Sequence, residues 1–360
     1  MKILMLTLYE NLGASSRLRF FQYVPWLERC GIQVTISSLL SNEYIRHLQD
    51  GGKNKLEVLK GYFSRLKIIP SLEKYDILWI EKECYRWLPA WFERILVLNR
   101  IPYVLDYDDA VFHNYDQHPN FLIRYLLANK HPQLMRSSAL VIAGNYYLAD
   151  FARKAGAKNI ETIPTAIDLN RYQSYPSPSV KSQLPCIGWI GQRSTASYLH
   201  PFAPLFKRLL AEGKSQFLAI GINTQQLGIP MESVPWSEET EVEQISRINI
   251  GIMPLDNSPF IHGKCGYKLI QYMACGLPVV ASPVGVNTKI IEHGVNGFLA
   301  GTLMEWETAL ERLLSDPDLS FRMGQAGRQK VEREYCVQVT APRLIESLRN
   351  VMYSRHDSDK

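Results

Sequence analysis

Short apolar runs rich in β-formers alternate with longer amphipathic stretches, break off at a proline- and serine-rich segment, and then begin again. In the first half KILMLTL (2–8), IQVTISSLL (32–40), YDILWIEKE (75–83), IPYVLDYDD (101–109), ALVIAGN (139–145) and IETIPTAID (160–168) read as strands. SRLRFFQYVPWLERCG (16–31) and YYLADFARKAGA (146–157) read as helices. Such alternation predicts a parallel sheet with helices on both faces. QSYPSPSVKSQLP (173–185) has the composition of an interdomain linker. Beyond it CIGWIG (186–191), SQFLAIG (215–221), IGIMPL (250–255), LPVVAS (277–282) and NGFLA (296–300) repeat the strand pattern, with YKLIQYMACG (267–276) among the intervening helices. Residues 303–335 read as helical with an interruption at RMGQAGR.

The expected architecture is therefore α/β: a domain over 1–172, a linker over 173–185, a second domain over 186–335, and a segment 336–360 that forms a helix returning to the first domain and then a frayed tail. Two doubly wound domains of this kind are expected to face a central cleft. A chain of 360 residues suits two cores. Hydrophobic residues make up 46% and charged ones 21%, the balance of a soluble globular protein. The net charge of +5 suits an anionic ligand or an acidic membrane surface and is not by itself a sign of nucleic acid. Six scattered cysteines without a C-x-x-C pair argue for reduced thiols rather than a metal site or a disulfide framework. No run is apolar and long enough to span a bilayer, and the opening KILMLTL reads as a first buried strand rather than a signal peptide. The expected location is the cytoplasm, with the inner face of the membrane as a place of action.

Three strand-to-helix turns of the second half carry glycine: GWIGQRSTASYL (188–199), HGKCGYKL (262–269) and SPVGVNTKI (282–290). Helix N-termini present unpaired N–H groups and partial positive charge, so turns of this form suit phosphate. Gly191, Gly266 and Gly285 would let the backbone approach a ligand. Arg193, Lys264 and Lys268 would add charge, and Ser194 and Thr195 would add hydroxyl bonds. The plainer alternative for any one turn is an ordinary cap. In the first half the turn GASSR (13–17) follows the first strand, and Gly13, Ser15, Ser16 and Arg17 would meet donor phosphate or acceptor. Arg17 and Arg19 stand near a helix start, where acids are the usual choice, which hints at anion contact. Asp106, Asp108 and Asp109 end one strand, and Glu81, Lys82 and Glu83 end another, the latter read evenly as cleft residues or a solvated cluster. His113, His118 and His131 read as surface histidines.

MACGLPVVASPVGVNTKIIEHGVNGFLA (273–300) resembles the donor-binding segment of the retaining GT-B glycosyltransferases of family 4, the glycosyl transferases group 1. VPWSEETEVEQISRINIGIMPL (234–255), SSALVIAGNYYLADFARKAGAKNIETIPTAID (137–168) and YENLGASSRLRFFQYVPWLERCGIQV (9–34) are similar to further family segments, in the right order. The resemblance implies the GT-B fold, two Rossmann-like doubly wound domains. It implies transfer of a sugar, with retention, from a nucleoside-diphosphate sugar to a glycan or lipid-linked acceptor in cell-surface polysaccharide biosynthesis. No metal or other cofactor is implied. It assigns Asp108, Arg193 and Lys268 to catalysis. Gly13, Ser15, Ser16, Arg17, Gly191, Ser194, Thr195, Lys264, Cys265, Gly266, Tyr267 and Gln271 fall to substrate binding, with Gln271 on the ribose. The chain departs from the family pattern at the pair of glutamates seven residues apart, replaced by Gly263 and Gln271. It departs again on the first loop of the second half, where Gln192 and Tyr198 replace Arg and Lys. A 2-epimerase on the same fold and a non-catalytic nucleotide-binding subunit are the alternatives; a dinucleotide dehydrogenase is disfavoured, since no G-x-G-x-x-G follows the first strand.

KLEVLKGYFSRLKII (55–69) spaces Leu56, Leu59, Phe63 and Leu66 along one helical stripe among Lys55, Lys60, Arg65 and Lys67. Either the stripe covers the sheet and the basic face meets water, or that basic face meets anionic lipid.

Overall fold

The apolar runs of the first half enter one parallel sheet in the order β2-β1-β3-β4-β5-β6, with β1 Lys2–Tyr9, β2 Gln33–Leu40, β3 Ile77–Glu81, β4 Tyr103–Tyr107, β5 Leu140–Ala143 and β6 Ile160–Thr162. Those of the second half form another, in the order β12-β11-β10-β7-β8-β9, with β7 Cys186–Ile190, β8 Gln216–Ile220, β9 Glu232–Val234, β10 Ile250–Met253, β11 Val279–Ala281 and β12 Gly297–Leu299. This computed structural model describes residues 1–49, 52, 54–91, 93, 101–172, 184–224, 228 and 230–358. Each sheet reverses its strand order once, between β1 and β3 and between β7 and β10. Ligands of doubly wound sheets sit beyond the carboxyl ends of the strands at such reversals.

The second sheet shows why its runs are apolar throughout. Ile187, Trp189, Phe217, Ala219, Ile250 and Ile252 face one core with the helices Ala203–Ala211 and Leu303–Ser315. The alternate residues Ile190, Leu218, Ile220 and Met253 face the other with the helix Tyr267–Ala274. Both faces are covered, so period two survives only as a choice between two cores.

The compact units divide at 165/166 rather than 172/173. One comprises Met1–Thr165, Gly263–Cys265 and Thr340–Lys360; the other comprises Ala166–His262 and Gly266–Val339. Within the expected linker, 173–183 lie outside the described residues. Thr340 of the last helix, Val337–Ser358, bonds Tyr23 at 2.8 Å, and Arg343 bonds Glu161 at 2.7 Å. Among the described residues no helix is long and apolar enough to cross a membrane.

Three expectations are corrected. Residues 16–31 are two helices, Ala14–Arg19 and Val24–Arg29, joined by a 3-10 turn. Phe20 leaves helical geometry to pack on Trp79, their rings 4.4 Å apart, and Pro25 opens the second helix. RMGQAGR does not interrupt a helix: Pro317–Glu334 is continuous, and Gly324 and Gly327 let it lie against the helix Tyr267–Ala274 and the turn that follows. In the helix Lys55–Leu66 the apolar stripe is exposed and Arg65 is buried, the reverse of both readings. The Arg65 guanidinium donates to the carbonyls of Thr7, Ser37 and Cys84. Gly61 lies so close to β2 that a Cβ would stand 1.9 Å from the Leu39 carbonyl oxygen.

Gly324→Ala tests the helix contact. At an open helical site this change stabilises by about 0.4–1 kcal/mol. Here the new Cβ would fall 1.8 Å from the Gly276 carbonyl oxygen, so destabilisation of about 1–3 kcal/mol is expected in urea unfolding. A stabilised variant would remove the close contact.

Candidate active site

At the carboxyl ends of β1, β3 and β4 a group of charges is buried around Lys82. Lys82 follows β3 in the left-handed region, φ 61°, which costs a side-chain-bearing residue about 1–2 kcal/mol. Two bonds fix it there: its N–H donates to the Asp106 carbonyl at 3.0 Å, and its carbonyl accepts from Tyr107 Oη at 2.9 Å. The turn sends Lys82 Nζ to 2.6 Å from Asp108 Oδ1 and 2.8 Å from Ser15 Oγ. Ser15 in turn donates to Asp108 Oδ2. Burial alone would raise the Asp108 carboxyl, but Lys82 and Ser15 hold it down at about 2. Beside it, Glu81 Oε2 accepts from Leu8 N at 2.7 Å and Ser16 Oγ at 2.6 Å, and burial pushes this carboxyl up.

The three aspartates each meet a different cation. Asp106 meets Arg19 at 2.8 Å, Asp108 meets Lys82, and Asp109 meets Lys264 at 2.9 Å. Among the described residues none caps a helix, and no three His, Cys, Asp or Glu side chains converge on a common point that would hold a metal. Lys264 and Cys265 are held in the first unit by Asn145, whose Nδ2 donates to the carbonyls of Gly263 at 2.9 Å and Lys264 at 3.0 Å. The same Asn145 caps the helix Tyr146–Ala155 through its Oδ1. The buried Cys265 thiol donates to the Asp108 carbonyl at 3.1 Å, and burial pushes its pKa up to about 12.

The second unit has its own group at the end of β7. Lys268 Nζ stands 4.1 Å above the centre of the Trp189 indole, a cation–π contact, and donates to Thr195 Oγ1 at 3.3 Å. Gly191 permits this approach: a Cβ there would stand 2.5 Å from Lys268 Nζ. Gly266 caps the helix Tyr267–Ala274 at φ 67°, where a Cβ would also strike Ile290. No side chain caps that N-terminus.

The structure thus brings Gly191, Thr195, Gly266, Tyr267 and Lys268 to one end of the second sheet, with Arg193 exposed on the short helix after β7. Ser194 lies in that helix. Gly13, Ser15 and Ser16 gather at the end of β1, where Gly13 packs against Tyr9, and Arg17 donates to the Asn11 carbonyl. Lys264 pairs with Asp109, and Cys265 with the Asp108 carbonyl, within the first unit. Three readings change. The anion Arg19 meets is the protein's own Asp106, and its guanidinium also donates to the Ile163 carbonyl. Glu81, Lys82 and Glu83 are all buried, which excludes a solvated cluster. His131 is buried against Tyr107, its ring held down at about 4 by burial, not placed on the surface.

Gln271 is buried too, and its amide donates to Tyr172 Oη at 3.3 Å. Tyr172 donates to Glu241, whose other oxygen accepts from Trp236 Nε1 at 2.6 Å. The sequence singles out neither Tyr172 nor Glu241, although Glu241 lies within the family-like segment 234–255. The signal for Lys82 was its place between two acids at a strand end.

Residues 202–316 match the family model described as Glycosyl transferases group 1. Solved structures share the fold over almost the whole chain. HepE of Anabaena in complex with UDP is 18% identical, with 97% of this chain and 100% of that one covered at a TM-score of 0.67. Sucrose-phosphate synthase from Thermosynechococcus elongatus is 16% identical over 98% and 100%, at 0.73. Both are glycosyltransferases of the GT-B fold, which is the fold of this chain. Among curated relatives, a Dictyostelium discoideum GDP-Man:Man(3)GlcNAc(2)-PP-Dol alpha-1,2-mannosyltransferase is 23% identical over 51% of this chain and 34% of its own length. A Gordonia bronchialis D-inositol 3-phosphate glycosyltransferase is 32% identical over 25% and 20%. The chain spans about a third or less of the length of these two.

Lys82→Met tests the charge group. A carboxyl at about 2 when folded and about 3.9 when unfolded stabilises the fold above about pH 4, and that contribution fades as pH falls towards 2. Without Lys82, burial raises the Asp108 carboxyl, so the variant is penalised at neutral pH and recovers as the acid is protonated. The expected gap from wild type is about 3–5 kcal/mol at pH 7, narrowing towards pH 4, in urea titrations at stepped pH. A pH-independent gap would show that Lys82 does not hold the Asp108 charge.

Proposed function

We propose, from the group 1 glycosyl transferase match over 202–316 and the GT-B fold of the chain, that the protein is a retaining glycosyltransferase. It moves a sugar from a nucleoside-diphosphate sugar to a glycan or lipid-linked acceptor in cell-surface polysaccharide synthesis, working in the cytoplasm at the inner face of the membrane. The observation that carries the donor assignment is Lys268, steered over Trp189 and against Thr195 at the start of the helix Tyr267–Ala274, which no side chain caps. A diphosphate there meets a cation, a hydroxyl and backbone N–H groups, with Arg193 as a second cation, and its departure is eased by that charge.

Asp108 serves the acceptor. A carboxyl held at about 2 is a poor proton acceptor at neutral pH and a good hydrogen-bond acceptor, so it orients the hydroxyl rather than ionising it. The sugar's anomeric carbon loses its bond to the diphosphate oxygen and gains one to the acceptor oxygen on the same face, and the hydroxyl proton passes to the departing phosphate. Asp109 and Lys264 lie beside Asp108 and flank the acceptor. Gln271 bears on the ribose through the network that Tyr172 and Glu241 hold in place.

Thermal melting with nucleoside diphosphates tests the donor site, UDP first because HepE was solved with it, then GDP. A raised melting temperature is expected with one of them, and Lys268→Ala should weaken that affinity about 10- to 150-fold, the value of a charge-assisted bond. Unchanged affinity in a folded variant would remove Lys268 from the site.

Transfer is expected to survive EDTA, because the three aspartates are each engaged by a side-chain cation. Complete loss on chelation, restored by Mn²⁺, would overturn that expectation. Turnover of the nucleotide-sugar without any acceptor would favour the epimerase instead.

A further inference from the structure

The helix Lys55–Leu66 is mounted the wrong way round for a helix that covers a sheet. Its inner side holds Gly61 against β2 and Arg65 on three backbone carbonyls, while Tyr62 Oη donates to the Arg86 carbonyl. Its outer side carries Leu56, Leu59, Phe63 and Leu66, between 38% and 69% exposed. A second helix of the same unit, Phe121–Leu127, repeats the arrangement. Leu127 points inward, while Phe121, Leu122, Tyr125 and Leu126 are 61–75% exposed along one stripe. The two helices are linked through the chain at Arg86 and Trp87. The exposed Trp87 packs edge-on against His118, ring centres 5.8 Å apart, and the His118 carbonyl accepts from Arg124 of the second helix.

The charges interleaved with these stripes are predominantly positive. Over 55–67 and 118–127, apart from the buried Arg65, the cations are Lys55, Lys60, Lys67 and Arg124, and the only carboxylate is Glu57, which is bonded to Lys60 at 3.0 Å. We infer that the two outward helix stripes form one docking surface for an anionic lipid bilayer, the leucine and aromatic side chains entering the acyl boundary and the four cations meeting headgroup phosphate. A second copy of the chain fits less well, because a two-fold contact would bring eight cations together against two carboxylates. The inference gives the membrane location proposed above a surface. It does not depend on which reaction the protein performs.

Co-sedimentation of the full chain with vesicles, in the absence of nucleotide or acceptor, tests it. Binding is expected to vesicles of phosphatidylcholine with phosphatidylglycerol, but not to phosphatidylcholine alone, and should fall as salt rises. Each basic residue near an anionic surface contributes about fivefold, so Lys55→Gln with Lys60→Gln should weaken binding at least about tenfold. Phe63→Ser with Leu126→Ser should weaken it comparably at unchanged melting temperature, since both side chains are exposed. Wild-type binding by both double variants, or no binding by the wild type, would overturn the inference. So would a wild-type dimer in light scattering that Phe63→Ser with Leu126→Ser converts to monomer. Because no substrate is present, these outcomes are independent of whether sugar transfer is observed.

Discussion

A buried lysine in a left-handed turn organises the end of the first sheet. Lys82 can hold Asp108 only because the backbone turns sharply after β3, and the turn is held by the Asp106 carbonyl and the Tyr107 hydroxyl. Its neighbour Glu81 joins the last amides of β1 to the first helix through Ser16. Three strand ends are therefore tied by charge as well as by apolar packing. A buried charge group of this kind adds little net stability, but losing one member leaves its partner's charge uncompensated.

In the second unit glycines set the geometry. Gly191 and Gly266 are positions where a Cβ would strike Lys268 or Ile290, so the chain's approach to the end of β7 depends on missing side chains. The donor assignment needs little more than this: a cation over an indole, a hydroxyl, and a helix start with no side-chain cap.

Much of the fold was legible because period-two and period-3.6 patterns follow local rules. The strand runs appear as β1 to β8 and β10 to β12, while the short edge strand β9, Glu232–Val234, had too little apolar character to be read. The misreadings share one cause, in that identical local signals have different tertiary uses. Gly324 and Gly327 break helices by propensity and here allow two elements to touch. Lys264 reads as part of the turn that ends in Lys268, yet three-dimensional structure pairs it with Asp109, 155 positions away in the chain. The glycine turns and Asp108 could be picked out as site candidates. The partners that hold Asp108, Lys82 and Ser15, follow only from topology, and Tyr172 and Glu241 join Gln271 from separate elements.

The chain enters the first unit three times: as its opening 165 residues, as the tripeptide Gly263–Cys265, and as the closing helix. Recombination between relatives would not exchange the two units cleanly. A crossover near 166 that imports a foreign second half also imports whatever residues stand at 264 and 265, and these lie beside Asp109 and Asp108. Two of the residues beside these aspartates are thus inherited with the second half. A hybrid chain must match a lysine and a thiol from one parent to two aspartates from the other.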